Sequence, residues 1–516
     1  MFIDRDDLNS SWHTPMKRRL LVINKHPPQI SRVHMDTKQQ LVLIGIDVGT
    51  SGVRAVAAGV TGIVLSESKT ALSSIRSADG VVHEQDPRDW WWAVCESIKA
   101  TLDRLSHPFS QFEIGGIAVT STSGTLVLAD SIGRPLRLAI LYDDTRAASL
   151  ASQFNAGEDS TIMRLNASQS LAKAAWVRQN EPAVWDQVRY ILHPADWLTS
   201  QLTGEFGVSD TSNVLKLGYD PDKKAWNKAV ERVGIASEQL PSVVSPGQKI
   251  GSVCNWAARE TGLPAKTPVL AGATDGMASL VASGASRFGD ANTTLGTTLV
   301  WKVLAKHQPP MVKGVYCHLH PSGAWVPGAA SNTGPGSLRA EDPTIPAVEM
   351  DCLASPSLPT DLVCYLLPGT GERFPFEKSD ARSFLEREPK NRDEGYAAQL
   401  QSIAFVERWG YEILERCGVP ISDIVFSTGS AAKSPILSQL RAEILNRTVA
   451  RCEHPDAAFG ACILAASETF YSQDICSATR KMTRLAESCS PTPDRMVRYD
   501  EIYTSFRRAC TRRGYG

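Results

Sequence analysis

The sequence predicts an α/β protein built from two related halves, and three observations carry that expectation. An apolar strand running into a Gly/Thr-rich turn and out into a second strand occurs at 41–60 and again at 292–300. Each pair is followed by a stretch of helical periodicity and a further short strand, at 87–119 and at 400–427. The 516 residues are 42% hydrophobic and 21% charged, enough to fill more than one core.

Residues 1–40 hold Lys17, Arg18, Arg19, Lys25 and Arg32 with little apolar periodicity and are expected to be a disordered extension. The first convincing strand is Leu41-Val-Leu-Ile-Gly-Ile46, which enters Asp47-Val-Gly-Thr-Ser-Gly52. Asp86 suits a helix N-cap and Pro87 the first helical position, ahead of a stripe formed by Trp91, Val94, Cys95, Ile98, Leu102 and Leu105. Ile114–Val119 is a strand that delivers the polar cluster Thr120-Ser-Thr-Ser-Gly124 at its end, a usual place for a ligand. Residues 150–260 mix helices and turns. Val269-Leu-Ala-Gly-Ala-Thr-Asp275-Gly276 then brings a carboxylate to a strand end, and Asn292-Thr-Thr-Leu-Gly-Thr-Thr298 repeats the opening turn. Leu400, Ile403, Ala404, Tyr411 and Leu414 share one helix face, followed by the strand Ile424–Ser427, the turn Thr428-Gly-Ser430 and a helix from about 435 to 445. The stretch 371–394, dense in both signs of charge, reads as an exposed insertion, and the last forty residues as polar helix and tail.

Bulk properties exclude several functions. A formal charge of -1 leaves no electrostatic footprint for nucleic acid or an anionic membrane. No apolar run is long enough to span a bilayer, since the most apolar stretches are closed or interrupted by Asp47 and Asp275. Eleven cysteines without a CxxC pair point to a reducing compartment. P-loop, zincin and serine-hydrolase motifs are absent.

The chemistry-bearing residues are the two turns and two aspartates. Gly/Thr turns let backbone N–H groups converge on phosphate oxygens, and two such cradles across a cleft can clamp a nucleoside triphosphate. Taken alone, the Gly49–Gly52 turn is as easily a structural hairpin. Asp47 can hold Mg²⁺, directly or through water. Asp275, at the end of an apolar run, needs a partner or a task, and a carboxylate in reach of an attacking hydroxyl takes its proton in phosphoryl transfer; the structural alternative is a helix N-cap. Cys317, His318 and His320 lack a second ligand pair and read as strand residues rather than a zinc site.

Five segments in order, Ile46-Asp-Val-Gly-Thr-Ser-Gly52, Glu84-Gln-Asp-Pro87 with Trp90, Ala273-Thr-Asp275-Gly276, Leu295-Gly-Thr-Thr298 and Ser427-Thr-Gly-Ser430, resemble the FGGY carbohydrate kinases, a branch of the actin and hexokinase superfamily, over roughly 41–470. The resemblance implies two actin-like (ribonuclease H-like) domains, 41–287 on the sugar and phosphate side and 288–516 on the nucleotide side, flanking a deep ATP/sugar cleft. It implies ATP and Mg²⁺ as cofactors, Asp275 as general base and Asp47 at the metal and phosphate end. It places Gly49, Thr50, Gly296, Thr297 and Thr298 at the phosphates, and Gly429, Ser430, Ser331, Asn332 and Glu372 on the nucleotide side. Asp47, Thr50, Ser51, Ser121, Ser123, Gly124, Asp144 and Asp275 are the corresponding sugar-side positions.

Glycerol kinases show Asn-Gln-Arg-Glu-Thr, and typical xylulokinases Gly-Gln-Met-His-Gly, where this chain has Ser121-Thr-Ser-Gly-Thr125. With Leu141-Tyr-Asp-Asp-Thr-Arg146 and Gly371-Glu-Arg-Phe-Pro375, that segment is most similar to the cyanobacterial and plant xylulokinase-like proteins that phosphorylate D-ribulose. The expected reaction is therefore D-ribulose to D-ribulose 5-phosphate. D-xylulose or another small ketose or polyol is the alternative, and a non-catalytic actin-like ATP/sugar-binding regulator the rival of another class. The expected partners are small molecules only, with no nucleic acid or membrane, in a monomer or homodimer. The expected compartment is the cytoplasm, or a plastid if residues 1–40 are a transit segment.

Overall fold

Strand β1 (Gln40–Gly49) alternates between two cores: Val42, Ile44, Ile46 and Val48 face one and Leu43 the other, the period of two that buries a central strand on both faces. The protein is described from a computed structural model covering residues 40–106, 112–156, 163–310, 312–339 and 345–516. The expected disordered extension lies, apart from residue 40, outside the described residues.

The turn after β1 returns the chain antiparallel into β2 (Gly52–Gly59), with Gly49 opposite Gly52, and β3 (Val64–Ala71) extends the meander. Helix α1 (Pro87–Ser106) follows, burying Trp90, Ala93, Val94, Ile98 and Leu105 on one face. Trp91 stacks on Trp256, and Trp92 stays 47% exposed. Strand β4 (Phe112–Ser121) runs parallel to β1. After α2 (Pro194–Thr203), strands β5 (Lys249–Ser252) and β6 (Pro268–Leu270) complete a six-stranded sheet in the order β5-β6-β4-β1-β2-β3, and α3 (Asp275–Ala282) leaves its end.

The second half repeats the plan. Strands β7 (Ala291–Leu295) and β8 (Leu299–Val303) form the hairpin, joined on one side by β9 (Val315–Leu319) and β10 (Trp325–Ala330). Helix α4 (Arg392–Arg416) leads to β11 (Ile424–Thr428), parallel to β7. Helix α5 (Pro435–Leu445) leads to β12 (Thr448–Cys452), parallel to β11. After α6 (Ala457–Phe470), β13 (Leu485–Cys489) closes a seven-stranded sheet, and α7 (Pro493–Arg512) packs outside it. An antiparallel hairpin extended by two parallel strands therefore occurs in both lobes, as β2-β1-β4-β6 and as β8-β7-β11-β12.

Between the sheets lies a shared core made by α3 and α6 with Leu43, Val56 and Ala118 from one sheet and Phe426 and Ala450 from the other. The sequence of α6 suits that place: it is alanine-rich, and every residue from Ala457 to Ser467 is buried. Contact is close enough to demand glycine at two points. A Cβ on Gly460 would lie 2.1 Å from the Ala278 carbonyl oxygen, and one on Gly45 would lie 1.9 Å from that of Ala458.

Two expectations need correction. The stretch 371–394 is not an exposed insertion: Phe374, Phe376 and Ala381 lie in the core of the C-terminal lobe and Glu372 and Glu394 are buried, while most of its other charges lie at the surface, as in the Lys378–Asp380 pair. The chain's last forty residues are likewise not merely polar, because Tyr499, Ile502, Tyr503, Phe506 and Cys510 of α7 belong to that same core. Both misreadings come from charge density masking a few widely spaced anchors. Among the described residues, no helix is long and apolar enough to cross a membrane.

Candidate active site

The Gly49–Gly52 turn is braced from behind by the Glu84-Gln-Asp-Pro87 segment. Gln85 Nε2 donates to the carbonyls of Thr50 (2.7 Å) and Ser73 (3.1 Å), and Trp90 Nε1 donates to Gln85 Oε1 (3.0 Å). One buried amide, itself fixed by an indole, thus sets the path of the turn. The matching turn at Gly296–Thr298 lies against the 331–334 loop so tightly that a Cβ on Gly334 would fall 2.5 Å from Thr298 Cα.

Asp47 ends the strand that enters the first turn, and Asp275 is the first residue of α3. Thr274 is the helix N-cap, so the N-cap alternative for Asp275 does not hold. The Asp275 carboxylate accepts the Gly276 N–H at 2.6 Å. Burial pushes Asp275 above the usual carboxylate range, opposed by the Gly276 amide, Lys302 and Lys216. Burial also pushes Asp47 up to about 7, assisted by the negative charges of Asp275 and Asp456 and opposed by Thr120 and Arg54. Asp456 caps α6 by accepting the Phe459 N–H (3.1 Å) and pairs with Arg54 across the lobes (3.3 Å). Three carboxylates from β1, α3 and the start of α6 therefore act on one region.

On the sugar side the structure separates the candidates. Ser121 is 0% exposed and its hydroxyl accepts the Ala195 N–H (3.0 Å), so it supports α2 rather than facing the cleft. Asp144, also fully buried, accepts the His83 N–H (2.7 Å) and both arms of the Arg146 guanidinium (2.9 and 2.7 Å). Ser123 and Gly124 sit at a turn gripped through their carbonyls: Lys216 Nζ donates to Ser123 O (3.0 Å) and Lys173 Nζ to Gly124 O (3.1 Å). Thr50 and Ser51 remain on the first turn, with Ser51 exposed.

Three lysines that sequence reasoning missed stand around this region. Burial lowers Lys173 to about 7 and Lys302 to about 8, and it also lowers Lys216. Burial with the neighbouring Lys302 and Lys216 charges lowers His318 to about 4. The available signal was a single lysine inside an apolar run, as in Leu299-Val-Trp-Lys-Val303. Ser170, His193 and Asp196 form a hydrogen-bonded relay (3.0 and 2.9 Å), yet all three are buried, and it serves to fix the start of α2.

On the nucleotide side, Glu372 is buried and wholly engaged. Its carboxylate accepts from Ser331 Oγ (2.8 Å), the Asn332 N–H (2.7 Å) and Tyr365 Oη (2.7 Å), which makes it the brace of the 331–333 loop. Asn332 Nδ2 donates to Gly371 O (2.9 Å). Gly429 has φ +93° and approaches Leu295 so closely that a Cβ would lie 2.4 Å from its carbonyl oxygen; Gly429 and Ser430 are both exposed. Below this turn, Thr294 and Thr428 share a hydroxyl hydrogen bond (2.8 Å) that joins the ends of β7 and β11.

Two family models match the chain in tandem: the N-terminal domain of the FGGY family of carbohydrate kinases over residues 42–282, and the C-terminal domain of that family over residues 291–469. The xylulose kinase of Staphylococcus epidermidis is 27% identical over 481 residues, covering 90% of this chain and 95% of the relative. That of Bacillus subtilis is 26% identical over 500 residues, covering 91% and 96%. Among solved structures, xylulose kinase from Rhodospirillum rubrum superposes with a TM-score of 0.81 at 24% identity, covering 91% of this chain and 98% of that one. Plasmodium falciparum glycerol kinase with ADP superposes with a TM-score of 0.79 at 18% identity, covering 90% and 97%.

Proposed function

Since the chain belongs to the FGGY family of carbohydrate kinases, with the actin-like two-domain fold and the carbohydrate kinase activity of that family, we propose that it transfers the γ-phosphoryl group of ATP to the terminal hydroxyl of a ketopentose, D-ribulose, giving D-ribulose 5-phosphate. The observation that carries this reading is the placement of Asp275, a half-buried carboxylate at a helix start on which the Lys216 and Lys302 charges act, with Asp47 near it.

In this mechanism Asp275 accepts the proton of the sugar hydroxyl as its oxygen attacks the γ-phosphorus and the bond to ADP breaks. The backbone of Gly49–Gly52 and Gly296–Thr298 orients the phosphate oxygens. Asp47 suits a hard dication because it offers carboxylate oxygen where Asp275 and Asp456 already concentrate negative charge. When bound, Mg²⁺ offsets charge on the phosphates. Closure of the lobes excludes water and limits wasteful hydrolysis of ATP.

D-ribulose is favoured by the likeness of Ser121-Thr-Ser-Gly-Thr125 and Leu141-Tyr-Asp-Asp-Thr-Arg146 to the xylulokinase-like proteins that phosphorylate that sugar. D-xylulose is the second reading, favoured by the relatives that carry the name xylulose kinase. ADP release measured with D-ribulose, D-xylulose, L-ribulose, glycerol and sedoheptulose separates them. D-ribulose is expected to give the highest kcat/KM, by about tenfold or more. A preference for D-xylulose would install the second reading, and hydrolysis indifferent to sugar would overturn both in favour of an ATP switch.

A pH dependence follows from Asp47. Its folded value, about 7, lies above the ordinary 3.8, so protonation favours the folded apoprotein, and this stabilisation is lost as pH rises from 3.8 through about 7. Asp47→Asn is expected to raise the apoprotein's stability above that window by roughly 1–3 kcal/mol while removing activity. Parent activity should fall, and its Mg²⁺ requirement rise, as pH drops below about 7. Thermal melts and Mg²⁺ titrations across that range check both, and a pH-independent Mg²⁺ requirement would remove Asp47 from the metal's coordination.

A further inference from the structure

Lys302 lies on β8, the strand that leaves the Gly296–Thr298 turn, and is only 8% exposed. Along β8, Leu299, Trp301 and Val303 point into the core of the C-terminal lobe, so Lys302 points out of that core's other side, toward the N-terminal lobe. There its Nζ donates to the carbonyl oxygen of Gly276 at 2.6 Å. The bond crosses between lobes and ends one residue past Asp275. A buried ammonium costs several kcal/mol unless partners repay it. The groups available are the Gly276 carbonyl and the Asp275 charge, and the neighbouring His318, held well below its usual range, adds no compensating charge.

We propose that Lys302 is a positioning residue for phosphoryl transfer: by holding the Gly276 carbonyl, in the first turn of α3, from the opposite lobe, it registers the neighbouring Asp275 carboxylate against the phosphate turn when the lobes are together. This rests on Asp275 acting as the base. The sequence supplies a second handle on the same contact, because a Cβ on Gly276 would lie 3.1 Å from Lys302 Nζ and displace a flexible side-chain end rather than backbone.

The test compares Lys302→Met, Lys302→Arg and Gly276→Ala with the parent in steady-state kinetics and thermal melting, alongside Asp275→Asn. Lys302→Met is expected to lower kcat about 10- to 100-fold while KM for the sugar stays within about threefold, since register is lost and the sugar's other contacts are kept. Gly276→Ala should show an intermediate loss, and Lys302→Arg should recover part of kcat. Lys302→Met combined with Asp275→Asn should be no slower than Asp275→Asn alone. Parental kcat in Lys302→Met beside an inactive Asp275→Asn overturns the lysine's role and leaves the base in place; so does a loss explained wholly by a lower melting temperature. An active Asp275→Asn overturns the base assignment itself.

Discussion

Asp275→Asn is expected to lower kcat by about 10²–10⁴ without harming the fold. Asparagine keeps the shape and can still accept the Gly276 N–H that Asp275 accepts at 2.6 Å, so the start of α3 is preserved. What disappears is the capacity to take a proton. Because burial already opposes the charge on Asp275, its removal should leave the melting temperature unchanged or slightly raised. ADP release at saturating ATP and sugar, read beside a thermal melt, checks both halves. A variant that melts normally and turns over at the parental rate would show that the hydroxyl loses its proton elsewhere.

The largest stability effect is expected in the other lobe. Arg441 and Glu407 are both 0% exposed and joined by two parallel hydrogen bonds, Nε to Oε2 at 2.6 Å and Nη2 to Oε1 at 2.7 Å. Arg441 also donates to Ser427 Oγ (2.7 Å) on β11, and Glu407 accepts from Thr293 Oγ1 (2.5 Å) on β7. The pair therefore pins the two strands that carry the Gly296–Thr298 and Gly429–Ser430 turns. Arg441→Met leaves a carboxylate stranded in the core and should cost about 3–5 kcal/mol in chemical denaturation. Arg441→Met with Glu407→Leu should recover much of that loss, since the expense lies in the unpaired charge. KM for ATP should rise in the single variant even where the protein remains folded. A single-variant loss below about 1 kcal/mol would show that water or another group reaches Glu407.

How much of this was legible in the sequence follows from the range of the interactions. The β1 turn and its repeat before β8 are local patterns of apolar alternation and glycine, and both were readable. Asp275 was readable because a carboxylate at the end of an apolar run is anomalous on its own. Lys302 was not, since its meaning depends on Gly276, which only the packed lobes bring to it. The coupling of Asp456 to Asp47 likewise exists only after α6 has been laid against β1. Ser121 and Asp144 show the opposite error. Their chemistry suits a sugar, but the fold commits Ser121 to the Ala195 amide and Asp144 to His83 and Arg146. Residue type announces what a side chain is able to bond; which partner it receives is set by topology.

The tight seating of Gly460 on Ala278 and of Ala458 on Gly45 bears on how the molecule moves. Surfaces in contact at backbone carbonyls have no clearance for sliding, and the motion left to them is rotation about the point of contact, as in a hinge pin. Asp47 feels the charge of Asp456 at the first turn of that same helix, so the carboxylates lie close to the pin. Points near an axle travel least when the arms swing. Rotation of the lobes about that contact would displace Asp47 and Asp456 least and the outer rims most.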